Sequence, residues 1–371
     1  MNTRKSLASA GLFLVFILLI YSFLHLLIMK LSLFPYQLQF KFPFRIAHGV
    51  RTHTDVVYVK LEHQNFVGWG EATLPPYLAE TQKSVSEFLL EFSKNISSNS
   101  IEDWFAKLQP VQANMSAKAA LDMALWSLKA QREQNTIREL LGVVGDNTNQ
   151  DYKFPLGTYT IGVSSFEEMK LKVEEGNKYG FEIFKIKLDG ESDEEMIHNF
   201  KSLSSKKFAV DVNQGWKTVE EAIEKILWLK EEGCFLVEQP LHKNALKEMK
   251  LLKQKSVLPL YADESCQRLS AIEKLKEGFD GINIKLMKCG GITEAHQMIL
   301  KARELEMKIL IGCMSESSVG CTAAAQLTPL ADYADLDGPY LISNDPFEGM
   351  KIKHGRIQLN QLVQSHGMTL L

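Results

Sequence analysis

The stretch FEIFKIKLDG (181–190) decides the fold, because it reads as a buried strand that nevertheless carries two lysines. Its apolar and β-branched residues are typical of a strand in the core of a sheet. Lys185 and Lys187 are two positions apart, so their side chains point to the same face of such a strand. One face of a core strand would therefore hold two ammonium groups, which requires a chemical reason.

Strand-like runs of this kind recur along the C-terminal part of the chain, with amphipathic helical segments between most of them. Eight runs can be counted: TYTIGV (158–163), FEIFKIKL (181–188), FAVDVN (208–213), FLVEQP (235–240), LYADES (260–265), GINIKLMK (281–288), KILIGCM (308–314) and DYADLDG (332–338). This alternation predicts parallel βαβ units, and eight of them favour a closed barrel. An open, doubly wound sheet is the structural alternative, but no GxGxxG motif supports it.

The chain before residue 150 has a different pattern. Apolar and polar residues alternate between about 31 and 65, as in an antiparallel sheet. Helical segments follow at 81–96 and 116–133. We therefore predict a small α+β unit over about residues 30–150, ahead of the barrel.

The first 29 residues support two readings. Residues 11–29 are almost wholly apolar and follow Arg4 and Lys5, and about 20 such residues can cross a bilayer. An uncleaved signal anchor would attach the protein to the membrane, with the folded part outside the cytoplasm. Alternatively, Met29 is the true start, residues 1–28 are a mis-assigned extension, and the protein is cytoplasmic. The sequence leaves this choice open, as it does the formation of a homo-oligomer.

Composition excludes several classes of protein. The 371 residues are 45% hydrophobic and 23% charged, and the net charge of −3 gives no reason to expect a nucleic-acid partner. The five cysteines show neither CxxC nor zinc spacing, and their odd number argues against a disulfide framework. We expect them to be buried thiols.

Carboxylates end three successive strands of the predicted barrel. Asp211, Glu238 and Asp263 follow one another at intervals of 27 and 25 residues, so barrel geometry gathers them on the rim where active sites of this architecture lie. A single carboxylate at a strand end is usually a helix N-cap, but three converging anions repel one another unless a cation joins them. Oxygen ligands without paired His or Cys favour a hard ion, and we predict one Mg²⁺ per subunit.

The lysines then have a role. Lys187 and Lys285 would lie on strands two and six, which face each other across an eight-stranded barrel. A substrate carboxylate bound to the ion would have a more acidic α-hydrogen, because the metal stabilises the enediolate. One lysine would remove that proton and the other would return a proton to the opposite face, which inverts the carbon. Lys185 would support Lys187 electrostatically and contact the substrate carboxylate. For a single lysine, a solvated or snorkelling side chain is the plain alternative.

With these residues placed, the chain resembles the enolase superfamily, muconate-lactonizing-enzyme subgroup, from about residue 30 onward. The similar motifs are KIK (185–187), DVNQGW (211–216), VEQPL (237–241), ADES (262–265) and NIKLMKCGG (283–291). The resemblance implies an α/β fold with three parts: an α+β capping domain (30–150), a (β/α)₇β TIM-like barrel (151–345) and a C-terminal segment (346–371) that returns to the capping domain. It also implies Mg²⁺ on the three carboxylates and acid/base roles for Lys187 and Lys285.

Within this subgroup the chain is similar to the dipeptide epimerases, especially the L-Ala-D/L-Glu epimerases of murein peptide recycling. The discriminating stretch is DLDGP (335–339). Asp335 and Asp337 share a strand face, and the resemblance implies that they hold the α-ammonium group of a dipeptide substrate. By position, the residues that would line the substrate site are Thr160, Cys313 and Ser315.

The residue that receives the second amino acid is less clearly marked. The resemblance implies an arginine of the capping domain for a glutamate side chain, and PFRIAHGVR (43–51) offers Arg51. Another branch of the family carries its arginine two positions earlier, where this chain has Gly49. Arg45 and His48 are further candidates, and a solvated loop position for Arg51 is the plain alternative. The identity of the second residue of the dipeptide stays open.

Three functional hypotheses follow. The first is a Mg²⁺-dependent dipeptide epimerase. An o-succinylbenzoate synthase or muconate-type cycloisomerase would use the same lysines and metal ligands, but it has no amine to bind, so Asp335 and Asp337 argue against it. The third is a membrane-anchored, non-catalytic peptide-binding protein, which would have no need of two opposed bases.

Overall fold

The computed structural model describes residues 29–46, 49–76, 78–96, 100–143, 154–359 and 369–370. His48 and, apart from Met29, the apolar segment 11–29 lie outside these ranges. Within them, no helix combines the length and the apolar character that a membrane span requires.

The N-terminal unit contains an antiparallel sheet, as the alternating pattern predicted, and four helices within its described residues. The strands, in spatial order, are β1 (Lys30–Ile46), β2 (Gly49–His63) and β3 (Phe66–Leu74). The helices are α1 (Gln82–Lys94), α2 (Ile101–Leu108), α3 (Met115–Arg132) and α4 (Ile137–Leu140). Helix α3 packs closely on β3, and Gly70 permits this contact, because a Cβ there would lie 1.8 Å from the carbonyl oxygen of Ala120.

Eight parallel strands form the barrel, in chain order around the ring. They are β4 (Thr158–Ile161), β5 (Ile183–Lys187), β6 (Lys207–Asp211), β7 (Val237–Glu238), β8 (Leu260–Ala262), β9 (Gly281–Lys285), β10 (Lys308–Gly312) and β11 (Tyr333–Asp335). A parallel bridge between Gly157 and Ala334 joins the last strand back to the first. The barrel prediction is confirmed, and the open sheet is wrong.

Helices connect successive strands and cover the outside of the barrel. They are α5 (Phe166–Lys178), α6 (Asp193–Leu203), α7 (Val219–Glu231), α8 (Leu246–Lys255), α9 (Ile272–Leu275), α10 (Leu286–Cys289), α11 (Ile292–Glu304) and α12 (Ser318–Ala325), while α13 (Gly338–Leu341) follows the last strand. The side chain of Ser165 accepts the backbone N–H of Glu168 and caps the start of α5. Strands buried on both faces explain the continuous apolar runs. The five cysteines are buried, free thiols.

The far end of the β1–β2 ribbon reaches the carboxyl ends of the barrel strands. The register of the pair shifts between Gln39 and Phe44, which marks a β-bulge or irregularity. Beyond it, the N–H of Val163 donates to the carbonyl of Arg45 at 3.1 Å. The ribbon is therefore docked on the barrel mouth by main-chain contacts.

After the barrel the chain forms short strands: β12 (Phe347–Glu348), β13 (Lys351–Lys353), β14 (Arg356–Gln358) and β15 (Thr369–Leu370). The ring of Phe347 packs against the rings of Tyr58 and Trp69, each with centroids 5.0 Å apart. This C-terminal part therefore contacts the N-terminal sheet. The limits of the domains remain predictions.

Candidate active site

Three carboxylates meet at the carboxyl ends of neighbouring strands. Asp211 is the last residue of β6, Glu238 is the last residue of β7, and Asp263 directly follows β8. All three are buried, and each offers an oxygen within 4.8 Å of those of the other two. The structure thus brings together the three residues that the sequence pattern selected as metal ligands.

The turns behind these strands hold the carboxylates in place. Asn213 and Gln239 adopt left-handed backbone conformations, with φ of 47° and 37°. The side-chain oxygen of Gln239 accepts the backbone N–H groups of Asp263 and Ser265, both at 3.0 Å. The backbone N–H of Asn213 donates to Oδ1 of Asp211 at 3.1 Å. These bonds fix the strand ends that carry the carboxylates and the loops that follow them.

Lys187 and Lys285 flank the carboxylates from two sides. Their strands, β5 and β9, are four positions apart in a ring of eight and therefore lie across the barrel from each other. Nζ of Lys187 donates to Oδ2 of Asp211 at 2.6 Å, and Nζ of Lys285 donates to Oδ2 of Asp263 at 2.8 Å. Burial opposes ionisation of these two carboxyls, but the neighbouring lysine ammonium groups hold the pKa of each below its usual range.

Lys185 is buried between the carboxylates. Its Nζ lies 3.1 Å from Asp211, 2.9 Å from Glu238 and 2.8 Å from Asp335. Burial would lower the pKa of Lys185, but the surrounding carboxylates raise it well above its usual range. Lys185 therefore acts as a fixed positive charge that links the three-carboxylate group to Asp335, and its contact with a substrate carboxylate remains a prediction.

The pKa of Glu238, the middle carboxylate of the group, is shifted in the opposite direction to those of Asp211 and Asp263. Burial raises the pKa of Glu238 to about 8; Lys185 opposes this, whereas the charges of Asp211 and Asp263 add to it. The side-chain amide of Asn283 donates to Glu238 Oε1 at 2.8 Å. A cation beside Glu238 would favour its ionised form. The three carboxylates offer hard oxygen donors, and the raised pKa of Glu238 indicates that the group lacks positive charge, so both features fit a divalent ion.

Asp335 and Asp337 lie at the end of β11. Asp335 accepts the hydroxyl of Thr158 at 2.5 Å through Oδ1 and Nζ of Lys185 at 2.8 Å through Oδ2. Asp337 accepts the backbone N–H of Thr160 at 2.5 Å. Burial and the charge of Asp335 raise the pKa of Asp337 to about 7, although the hydrogen bond from Thr160 opposes the shift. An incoming ammonium group would favour the ionised form of Asp337.

Several of these groups line a cavity of about 310 Å³, within the size range of small-molecule sites, whereas Lys185, Asp211 and Glu238 are not among its lining residues. The barrel contributes Lys187, Asp263, Lys285, Asp335 and Asp337, together with the three residues predicted to line the substrate site, Thr160, Cys313 and Ser315. The ribbon contributes two residues, Phe44 and Arg51. The site is therefore built between the barrel rim and the end of the ribbon.

The candidate cationic residues of the ribbon have different surroundings. Arg51 is half-buried, and its guanidinium carbon lies 5.6 Å and 5.8 Å from the ring centroids of Phe40 and Phe44. Arg45 instead donates to Glu168 at 2.6 Å. Of the two arginines considered from sequence, Arg51 lines the cavity, whereas Arg45 forms an ion pair with Glu168.

Two residues of the site were missed by sequence reasoning. Lys288 donates to Oδ1 of Asp263 at 2.6 Å and to the carbonyl of Asn283 at 2.9 Å, and Asn283 holds Glu238 as described. Asn283 lies two residues before Lys285 on the same strand face, and Lys288 lies in the short helix α10, which directly follows this strand. Strand periodicity could therefore have identified Asn283, whereas Lys288 has no comparable local signal.

The chain was compared with known protein families. The model described as mandelate racemase / muconate lactonizing enzyme, N-terminal domain, matches residues 28–142, and the model described as enolase C-terminal domain-like matches residues 168–363. Together they cover both the N-terminal unit and most of the barrel.

Curated proteins and solved structures give consistent matches. The L-Ala-D/L-Glu epimerase of Bacteroides thetaiotaomicron is 40% identical over 339 residues, covering 90% of this chain and 86% of that protein. The L-Ala-D/L-amino acid epimerase of Flavobacterium johnsoniae is 35% identical, covering 92% of this chain and 100% of that protein. The crystal structure of the dipeptide epimerase of Cytophaga hutchinsonii, complexed with Mg and the dipeptide D-Ala-L-Val, has a TM-score of 0.83 at 27% identity, covering 93% of this chain and 96% of that one.

Proposed function

The chain belongs to the enolase superfamily, in its mandelate racemase and muconate lactonizing enzyme group, and from this premise we propose that it is a dipeptide epimerase. It inverts the α-carbon of the C-terminal residue of a dipeptide by 1,1-proton transfer. The observation that carries this proposal is the placement of Lys187 and Lys285 on opposite sides of the barrel, with the three-carboxylate group between them.

Asp211, Glu238 and Asp263 would hold one Mg²⁺. When bound, the ion supplies positive charge that makes the α-hydrogen of a substrate carboxylate more acidic. Lys185 and Lys288 keep the ligands in position through direct contacts with their side-chain oxygens. The solved relative from Cytophaga hutchinsonii is a complex with Mg, which supports this choice of metal.

The two lysines divide the proton transfer between them. In one direction a neutral lysine amine removes the α-proton from one face, and the ammonium group on the other side gives a proton to the opposite face. In the reverse direction the roles are exchanged. Asp211 and Asp263, at 2.6 Å and 2.8 Å from the two nitrogens, fix the positions of both amines.

The substrate amine distinguishes this activity from the runner-up reactions. Asp335 and Asp337 would bind the α-ammonium group of the first residue, which an o-succinylbenzoate synthase or cycloisomerase substrate lacks. Arg51 would receive an acidic side chain of the second residue. L-Ala-L-Glu is therefore the proposed substrate, and murein peptide recycling is the process that would supply it.

A dipeptide library tests this proposal. The protein is incubated with L,L-dipeptides and Mg²⁺ in D₂O, and deuterium uptake is located by mass spectrometry. We expect deuterium at the α-carbon of the C-terminal residue, with L-Ala-L-Glu among the best substrates. Turnover of a succinylbenzoate precursor without dipeptide exchange would favour the runner-up, and binding without exchange would favour a peptide-binding protein.

A further inference from the structure

A second, smaller cavity lies beside the active-site cavity. Phe40, Phe42 and Phe44, at alternate positions of β1, all line it. Thr160 and Ser315, together with Phe44, line both cavities, so the two spaces adjoin. The free space of the smaller cavity is about 10 Å³, which suits one water-sized group such as a methyl or a single oxygen.

The small cavity also contains a buried lysine. Lys172 of α5 is 4% exposed, and among the described residues its Nζ has no hydrogen-bond partner. Its Nζ lies 5.8 Å from the centroid of the Phe42 ring. Glu168, one turn earlier on the helix, is engaged by Arg45 at 2.6 Å. Burial lowers the pKa of Lys172, because the charged form is costly to bury, and the charge of Glu168 opposes this shift. An anion bound in the adjoining cavity would favour the charged form, so an unpaired amine at this position is suited to an anionic ligand.

The position of the cavity relates it to the first residue of the dipeptide. Thr160, which lines both cavities, donates its N–H to Asp337 at 2.5 Å. Asp337 is a proposed binding group for the α-ammonium of the first residue. The side chain of that residue leaves the same carbon as the ammonium, so it must lie close to Thr160. The reacting carbon of the second residue lies elsewhere, between Lys187 and Lys285.

On the basis of the proposed function, we propose that this small cavity is the subsite for the side chain of the first residue, and that Lys172 makes it receptive to a carboxylate. An alanine methyl fits the space. The CH₂ group of an aspartate side chain would stay in the adjoining active-site cavity, and a single carboxylate oxygen would enter the small cavity toward Nζ of Lys172. The protein would therefore accept L-Asp-L-Glu in addition to L-Ala-L-Glu. A neutral side chain of the same shape, as in L-Asn-L-Glu, would gain less from the ammonium.

The test compares three substrates in the wild type and in Lys172→Met. We expect the wild type to have a higher kcat/KM for L-Asp-L-Glu than for L-Asn-L-Glu. Lys172→Met should lower kcat/KM for L-Asp-L-Glu by about tenfold or more, mainly through KM, because it removes a charged hydrogen bond. L-Ala-L-Glu should lose less activity than L-Asp-L-Glu, because its methyl group makes no charged contact with Lys172. Lys172→Gln, which keeps a polar group, provides a second variant, and thermal unfolding checks that both are folded.

Lys170→Met is the matched control, because Lys170 is exposed on the same helix and its removal changes the net charge equally. If Lys172→Met lowers kcat/KM equally for L-Ala-L-Glu and L-Asp-L-Glu, Lys172 has a packing role and the inference is wrong. The inference is also wrong if the wild type does not prefer L-Asp-L-Glu over L-Asn-L-Glu. A loss that follows the second residue, seen by comparing L-Ala-L-Glu with L-Ala-L-Gln, would overturn the subsite assignment. Wild-type exchange of L-Ala-L-Glu tests the proposed function separately, and its absence would overturn both.

Discussion

The barrel rim and the ribbon end present cations to the same cavity in different ways. On the rim, Lys187 and Lys285 lie 2.6 Å and 2.8 Å from a carboxylate. At the ribbon, Arg51 lies beside the rings of Phe40 and Phe44 of β1. Lys172 of α5 lies beside the ring of Phe42 on the same strand. Ion pairs on rigid strands fix the positions of the rim lysines, whereas the positive groups of Arg51 and Lys172 lie beside aromatic rings. We therefore expect the two rim lysines to determine the reaction, and Arg51 and Lys172 to influence which dipeptide side chains are accepted.

The most severe test of this contrast is the removal of a rim lysine. Lys187→Ala and Lys285→Ala should each lower epimerisation by about 1,000-fold, within the usual range for loss of a general acid or base. Because each lysine serves one face, either variant should still exchange the α-hydrogen of one epimer. Proton NMR of L-Ala-L-Glu and L-Ala-D-Glu in D₂O measures both effects.

Lys207→Ala is the control for these variants, because Lys207 is exposed at the opposite end of β6. It should epimerise L-Ala-L-Glu like the wild type. Near-normal epimerisation by either rim variant would show that the two-base assignment is wrong.

The next largest effect concerns the middle carboxylate. Glu238→Gln should weaken Mg²⁺ binding by about 100-fold, because it removes a ligand charge at a position where even indirect contacts usually matter by 10–100-fold. Isothermal titration with Mg²⁺ measures this directly, and a chelator should abolish wild-type activity until Mg²⁺ is restored. Glu273→Gln, on an exposed helix position, is the control. Full activity in the presence of excess chelator would contradict the metal assignment.

The raised pKa of Asp337 predicts that kcat/KM depends on pH. Its pKa, raised to about 7, means that the carboxyl becomes neutral as the pH falls below this value. A neutral Asp337 attracts the α-ammonium less, so kcat/KM for L-Ala-L-Glu should fall on the acid side of pH 7. Asp337→Asn should lower kcat/KM by about 30-fold and flatten that limb, in keeping with loss of one charged hydrogen bond. An unchanged acid limb in Asp337→Asn would assign the pH dependence to another group.

The smallest expected effect is on the ribbon. Arg51→Gln should lower kcat/KM for L-Ala-L-Glu by about tenfold, the loss expected for a partly exposed ion pair, and should leave L-Ala-L-Leu nearly unchanged. Arg45→Gln is the matched control, because Arg45 is engaged by Glu168. Equal sensitivity of both substrates to Arg51→Gln would mean that this arginine shapes the ribbon and does not select the second residue.

The rim could be predicted from sequence because its pattern is periodic. One carboxylate per βα unit is visible along the chain, and the barrel places such residues together. The supporting contacts have no such period. Gln239 binds the backbone N–H of Asp263, which lies 24 residues later in the chain. In the sequence SFEEMKLKVEEG, Lys172 has the pattern of an exposed helix lysine, but in the folded protein it is buried beside β1. The contact of Gln239 depends on the pairing of neighbouring barrel strands, and the burial of Lys172 depends on the docking of the ribbon. No local sequence pattern encodes either arrangement.

The order of the strands divides the circumference of the barrel into two arcs. Strands β5 to β9 carry the lysines proposed for proton transfer and the three-carboxylate group. The arc from β10 through β11 to β4 carries the residues proposed to bind the substrate amine. Lys185, bonded to both Asp211 and Asp335, spans the boundary between them. Mutations confined to the second arc and the ribbon could therefore redirect such a protein to new dipeptides, while the inherited chemistry of the first arc stays intact.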